Sequence, residues 1–135
     1  AKLKADIVSE DEREDNKRRI LNFGHTIGHA LETHFGFEIL RHGEAIAYGM
    51  IAAGKLSIEN SGLKNENYDY LNNTIQRLSL PKLPDFDYKT ILNIIENDKK
   101  VKLGRIHFVL LNDIGRAVVQ NNINDQSIIN VLEAL

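Results

Sequence analysis

Leu21-Asn22-Phe23-Gly24-His25-Thr26-Ile27-Gly28-His29-Ala30 lies at the centre of a segment from Glu14 to about His34 whose spacing predicts a first helix, ended at Phe35-Gly36. Glycine suits the left-handed residue that closes many helices. At about 100° per residue, Glu14, Arg18, Asn22, His25 and His29 fall in one row covering roughly a quarter of the helix circumference. Ile20, Phe23, Ile27, Ala30 and Leu31 gather on the opposite side as the apolar stripe that anchors the helix to a core. A solvated helix face usually carries interchangeable Lys, Glu and Gln. This row carries Arg, Asn and two His, and Gly24 and Gly28 beside it each cost about 1 kcal/mol in a helix interior. Such a cost implies close approach by a backbone, a metal or a ligand, so the row reads as the wall of a site. The plainer alternative is a polar seam packed against a neighbouring domain.

Working outward, a second helix starts just after His42-Gly43 and runs through Glu44 to about Asn60, stopped at Ser61-Gly62. Its Ala45, Ala47, Gly49, Ala52 and Ala53 leave room for close backbone packing and predict burial. A third helix spans Asn67 to Leu78, stopped by Pro81 and Pro84. A fourth covers Tyr88 to Asn97, with Asp87 as its cap. Arg105 to Leu111 reads as a strand, Asn112 to Gly115 as a turn, and Ala117 to Val119 as a returning strand. A last helix, Gln126 to Leu135, is capped by Asn124-Asp125. The expected fold is mainly α, with this hairpin as its single sheet, in one domain over residues 1–135.

The chain's 135 residues can bury a core without staples. Seventeen basic residues against nineteen acidic ones leave no excess positive charge for nucleic acid. With no cysteine there is no disulfide framework and no thiolate site, so zinc here would rest on histidine and carboxylate. The stretch Glu44 to Ile58 is too short and too interrupted to span a bilayer. No signal peptide is recognised, and a cytoplasmic setting is expected. The start, Ala1-Lys2-Leu3-Lys4, lacks an initiator methionine and reads as a cut inside a longer protein.

His25 and His29 stand one turn apart, an i, i+4 spacing that can close on one cation. His42, at the start of the next helix, would return beside them in a helical hairpin. Spacing leaves open whether His25 and His29 ligate together, or one of them with His42 and a carboxylate from elsewhere. His34, near the apolar side, and His107, in the strand, are given no role. Lys2 and Lys4, and Lys99, Lys100 and Lys102, read as solvated charge.

Leu21 to Ala30, followed by His42-Gly43-Glu44-Ala45-Ile46-Ala47, resembles 3-dehydroquinate synthase. The resemblance extends through Lys4 to Val8, Asp11 to Glu14, Asp98 to Val101, Phe108 to Leu111, and Ile114-Gly115. In that family a nucleotide-binding α/β domain precedes a mainly helical one, with the active site between them, and this chain resembles the second domain only. The resemblance implies conversion of 3-deoxy-D-arabino-heptulosonate 7-phosphate to 3-dehydroquinate and phosphate in the shikimate pathway. It implies NAD bound mainly by the other domain, a divalent metal (zinc, or cobalt), and a homodimer when full length.

By the same resemblance His25 and His42 are metal ligands, with a glutamate of the other domain completing the set. His29 and Glu14 are candidates for moving protons. Lys4 and Arg18 hold the substrate carboxylate, and Asn22 and Lys99 the phosphate, with Lys100 as the alternative to Lys99. Rival readings are another NAD- and metal-dependent sugar-phosphate cyclase, a glycerol dehydrogenase-type enzyme, and a non-catalytic helical metal-binding module. Residues 1–135 alone are expected to be inactive as a synthase.

Overall fold

The computed structural model describes residues 13–103, 107–121 and 123–135. Lys4 lies outside the described residues, as does the upstream match around it. The chain order is α1 (residues 13–21), α2 (His25–Phe35), α3 (His42–Asn60), α4 (Asn65–Gln76), α5 (Tyr88–Val101), β1 (Phe108–Asp113), β2 (Arg116–Gln120) and α6 (Asp125–Glu133). Among the described residues the fold is mainly α with one antiparallel hairpin, as the sequence leads one to expect. Among the described residues, no helix is long and apolar enough to cross a membrane.

Helix α3 is the central element, in contact with α2, α4, α6 and β1. Its Ala45, Ala47, Gly49, Ala52 and Ala53 are all buried, and so are Ile51 and Leu56. Small side chains here let α2 come in backbone to backbone. A β carbon on Gly49 would stand 2.1 Å from the Gly24 carbonyl oxygen and 2.6 Å from the Gly28 nitrogen. The apolar face of α2 (Ile27, Ala30 and Leu31) is buried against this helix and α5, in a core shared with Phe23 and Leu40.

The single helix expected from Glu14 to His34 is broken at residues 22–24. Gly24 adopts φ 81°, a left-handed conformation costly to a residue with a side chain, and a β carbon there would meet the Met50 nitrogen at 2.6 Å. The chain therefore turns where α2 must meet α3. It is the backbone of α3, rather than a ligand, that the two glycines admit. Ile20, expected in the apolar stripe, lies on the α1 side of this break and is 38% exposed.

Helix α4 starts two residues earlier than expected and ends at Gln76. Asp87 caps α5 as anticipated, its carboxylate accepting from the Lys89 N–H at 3.0 Å, but α5 runs to Val101 rather than Asn97. Asn124 caps α6, accepting from the Gln126 N–H at 2.8 Å. In the hairpin Val109 faces Val119 and Leu111 faces Ala117, with Ile114-Gly115 at the turn. The hairpin is tied to α3 by the buried Ser57, whose hydroxyl donates to the Ala53 carbonyl at 2.7 Å and accepts from the Leu111 N–H at 2.9 Å. Asn16 ties α1 to the same hairpin, donating to the Gly115 carbonyl and accepting from the Ala117 N–H, both at 2.9 Å.

Candidate functional site

Where the α1–α2 turn, the N-termini of α2 and α3, the end of α5 and the hairpin meet, they enclose a cavity of about 550 Å³. Arg18, Asn22, His25 and His29 line it from the first two helices, and His42 from the start of α3. The break at residues 22–24 does not scatter these side chains, because α1 and α2 still present them on the same side. The rings of His25 and His42 meet edge to face, with centroids 6.1 Å apart. This contact brings two imidazoles from different helices together at the cavity wall. Among the described residues, no group of three or more His, Cys, Asp or Glu could hold a metal.

His42 is anchored from α2, its Nδ1 lying 2.5 Å from Glu32 Oε2. Arg18 pairs with Asp15 on its own helix. Asn22 donates from Nδ2 to the Arg18 carbonyl at 3.2 Å. Helix α2 opens at the cavity on His25 without a side-chain cap, so its N-terminal end favours an anion there.

Two expected site residues stand apart from the cavity. Glu14 is exposed and pairs with Lys17 at 3.6 Å. Lys99 sits half-buried in the last turn of α5, and neither it nor Lys100 lines the cavity. From the same helix end Asp98 and Lys102 do, joined at 3.2 Å. His107, left without a role from sequence, is also part of the wall. Its carbonyl accepts from Thr26 Oγ1 at 3.1 Å, and its Nδ1 is 2.5 Å from Asn121 Oδ1. Arg18, Arg19 and Lys102 against Asp98 give the wall a net positive charge.

Sequence reasoning passed over Glu32, Lys102 and His107. The signal for Glu32 was present, since it lies seven residues after His25 and three after His29 on the same helix face. Lys102 was read as solvated charge, and only the packing of the α5 end against the site brings it into the wall. His34, by contrast, is exposed and stacks edge-on against Phe35, with centroids 4.8 Å apart.

The family model described as 3-dehydroquinate synthase C-terminal matches residues 1–101. The 3-dehydroquinate synthase of Crocosphaera subtropica is 43% identical over 134 residues, covering 98% of this chain and 37% of that protein. The chain thus spans little more than a third of the length of the relatives it matches. Among solved structures, 2-epi-5-epi-valiolone synthase from Streptomyces hygroscopicus subsp. jinggangensis, with NAD+ and Zn2+ bound, shares the fold at a TM-score of 0.73. It is 24% identical, the match covering 84% of this chain and 31% of that one. A 2-deoxy-scyllo-inosose synthase complexed with carbaglucose-6-phosphate, NAD+ and Co2+ aligns at a TM-score of 0.65 with 28% identity, covering 85% of this chain and 33% of the other. On its match over residues 1–101, this chain belongs to the 3-dehydroquinate synthase C-terminal domain family.

Proposed function

We propose that this chain is the metal- and substrate-binding part of a 3-dehydroquinate synthase, releasing phosphate from 3-deoxy-D-arabino-heptulosonate 7-phosphate as 3-dehydroquinate forms. The observation that carries the reading is the convergence of Arg18, Asn22, His25, His29 and His42 on one positively charged cavity. The identity to named 3-dehydroquinate synthases along nearly the whole chain supports it. NAD belongs to a separate nucleotide-binding domain. Cytoplasmic location and a homodimer are parts of the same reading.

The donor set fits a divalent metal held by His25 and His42, with a carboxylate of the other domain completing the ligands. Zinc or cobalt bound there would polarise the substrate oxygen at the carbon being oxidised and reduced. Arg18 offers a planar two-pronged donor for the substrate carboxylate, a role the resemblance also gives Lys4. Asn22 and the α2 N-terminus address the phosphate, and His29, exposed at the cavity, is placed to move a proton. Glu14 and Lys99 keep their proposed roles by resemblance alone. Lys102 is the lysine of that helix end whose side chain lines the cavity.

A second reading, another sugar-phosphate cyclase, draws on the likeness to the 2-deoxy-scyllo-inosose synthase structure. Its substrates lack the carboxylate, which would leave Arg18 with less to do. The test mixes this chain with its nucleotide-binding half, NAD, zinc and the seven-carbon phosphate, and follows phosphate release with identification of the product. Phosphate and 3-dehydroquinate appearing only with both halves and metal is the expected result. Binding of NAD and metal without turnover of this substrate would favour the other cyclases.

A further inference from the structure

We infer that Glu32 is a positioning residue that sets the tautomer and ring orientation of His42 for metal binding. The inference rests on the reading of His42 as a ligand. The carboxylate Oε2 of Glu32 lies 2.5 Å from His42 Nδ1, and an ionised carboxylate can only accept. In the neutral imidazole that a metal requires, this contact puts the hydrogen on Nδ1 and leaves the lone pair on Nε2.

The two partners come from different helices whose relative position is held by backbone contact. Glu32 sits within α2, and His42 is the first residue of α3. Gly24, Gly28 and Gly49 let these helices approach backbone to backbone. The Glu32 side chain is 33% exposed against 67% for His42, so the more buried carboxylate is the partner that orients the more exposed ring. A pair this open to solvent adds little to stability. Its consequence falls on the ring: without the carboxylate, His42 can turn and can carry its hydrogen on either nitrogen. Glu32 shares the helix face of His25 and His29, so α2 supplies both a ligand and the group that aims a second ligand from α3.

The experiment titrates Co2+ into the metal-free two-domain protein, reading affinity by competition with a chelator and geometry by the visible absorption of bound cobalt. Glu32→Ala is expected to weaken Co2+ binding about 10–100-fold and to alter the cobalt spectrum, with thermal unfolding of the metal-free protein unchanged. Glu32→Gln, whose amide oxygen still accepts the Nδ1 hydrogen, should recover most of the affinity and the spectrum. Glu32→Met keeps the length of the side chain without an acceptor and stands in if the alanine variant does not fold. Wild-type affinity and spectrum in a folded Glu32→Ala or Glu32→Met protein would overturn the inference. Wild-type cobalt binding by His42→Ala would instead remove the ligand reading beneath it.

Discussion

Histidines with the same side chain separate here by what surrounds them. His25 and His42 meet edge to face at one cavity, whereas His34 is exposed beside Phe35. In the two-domain protein, His25→Ala is expected to reduce metal-dependent phosphate release beyond the about 10–100-fold that changes around a ligand cost, and His34→Ala to leave it nearly intact. Comparable losses in the two variants would mean that the histidine row has been misassigned. Ser57 offers a test of stability rather than chemistry. Ser57→Ala strands the buried Leu111 N–H, which costs about 1–3 kcal/mol, measurable by urea unfolding. The row Arg18, Asn22, His25, His29 was legible because its residue types are costly to place on an ordinary helix face. Glu32 was not, because glutamate is common on solvated helices and its role depends on a partner ten residues away. Glu14 fell in the same projected row, yet it pairs with Lys17 outside the cavity, since a helical projection assigns a face and not a depth.

At the level of elements, the glycines carried a signal whose cause periodicity alone could not name. Gly24, Gly28 and Gly49 implied a close approach, and the neighbour is the facing helix. Gly49→Ala puts a methyl group against the Gly24 carbonyl oxygen and the Gly28 backbone, for an expected loss of about 3 kcal/mol. Gly43→Ala, with nothing within 4 Å of the new carbon, should change denaturant stability little. A small effect of Gly49→Ala would mean that α2 and α3 can separate without cost. Helix ends were the weaker part of the reading: α5 continues past Asn97 because no glycine or proline stops it before Val101. The segment between α4 and α5 is held to α3 by the Tyr48 hydroxyl, which donates to the Pro81 carbonyl. Burial, and secondly the Glu44 carboxylate, raise the Tyr48 pKa above its ordinary 10.0. The folded state therefore keeps a proton that the unfolded chain gives up. The resulting contribution to stability is complete below about pH 10 and is lost as pH rises through the raised folded value. Tyr48→Phe should flatten the loss of thermal stability above pH 10, and an unchanged slope would assign that loss to other groups.

For the whole molecule, the expected mainly helical domain with one hairpin emerged because apolar period, capping residues and glycine stops agreed along most of the chain. The cavity did not follow from any one of them. It needs α1, α2, α3, α5 and the hairpin in their final positions, and Lys102 and His107 enter its wall only through that packing. The proposed reading gives a cation two imidazoles of that wall, His25 and His42, and among the described residues no group of three or more His, Cys, Asp or Glu could hold a metal. Catalytic zinc commonly takes three protein ligands, and the chain spans 37% of the length of its Crocosphaera relative. On the proposed reading, residues 1–135 alone are expected to bind zinc far more weakly than a two-domain protein and to release no phosphate from the seven-carbon substrate. Calorimetric zinc titration of the chain, with and without its nucleotide-binding half, measures the first effect, and phosphate release measures the second. Turnover by the pure chain, with no carried-over host enzyme, would place a complete site within these residues and remove the need for a ligand from another domain.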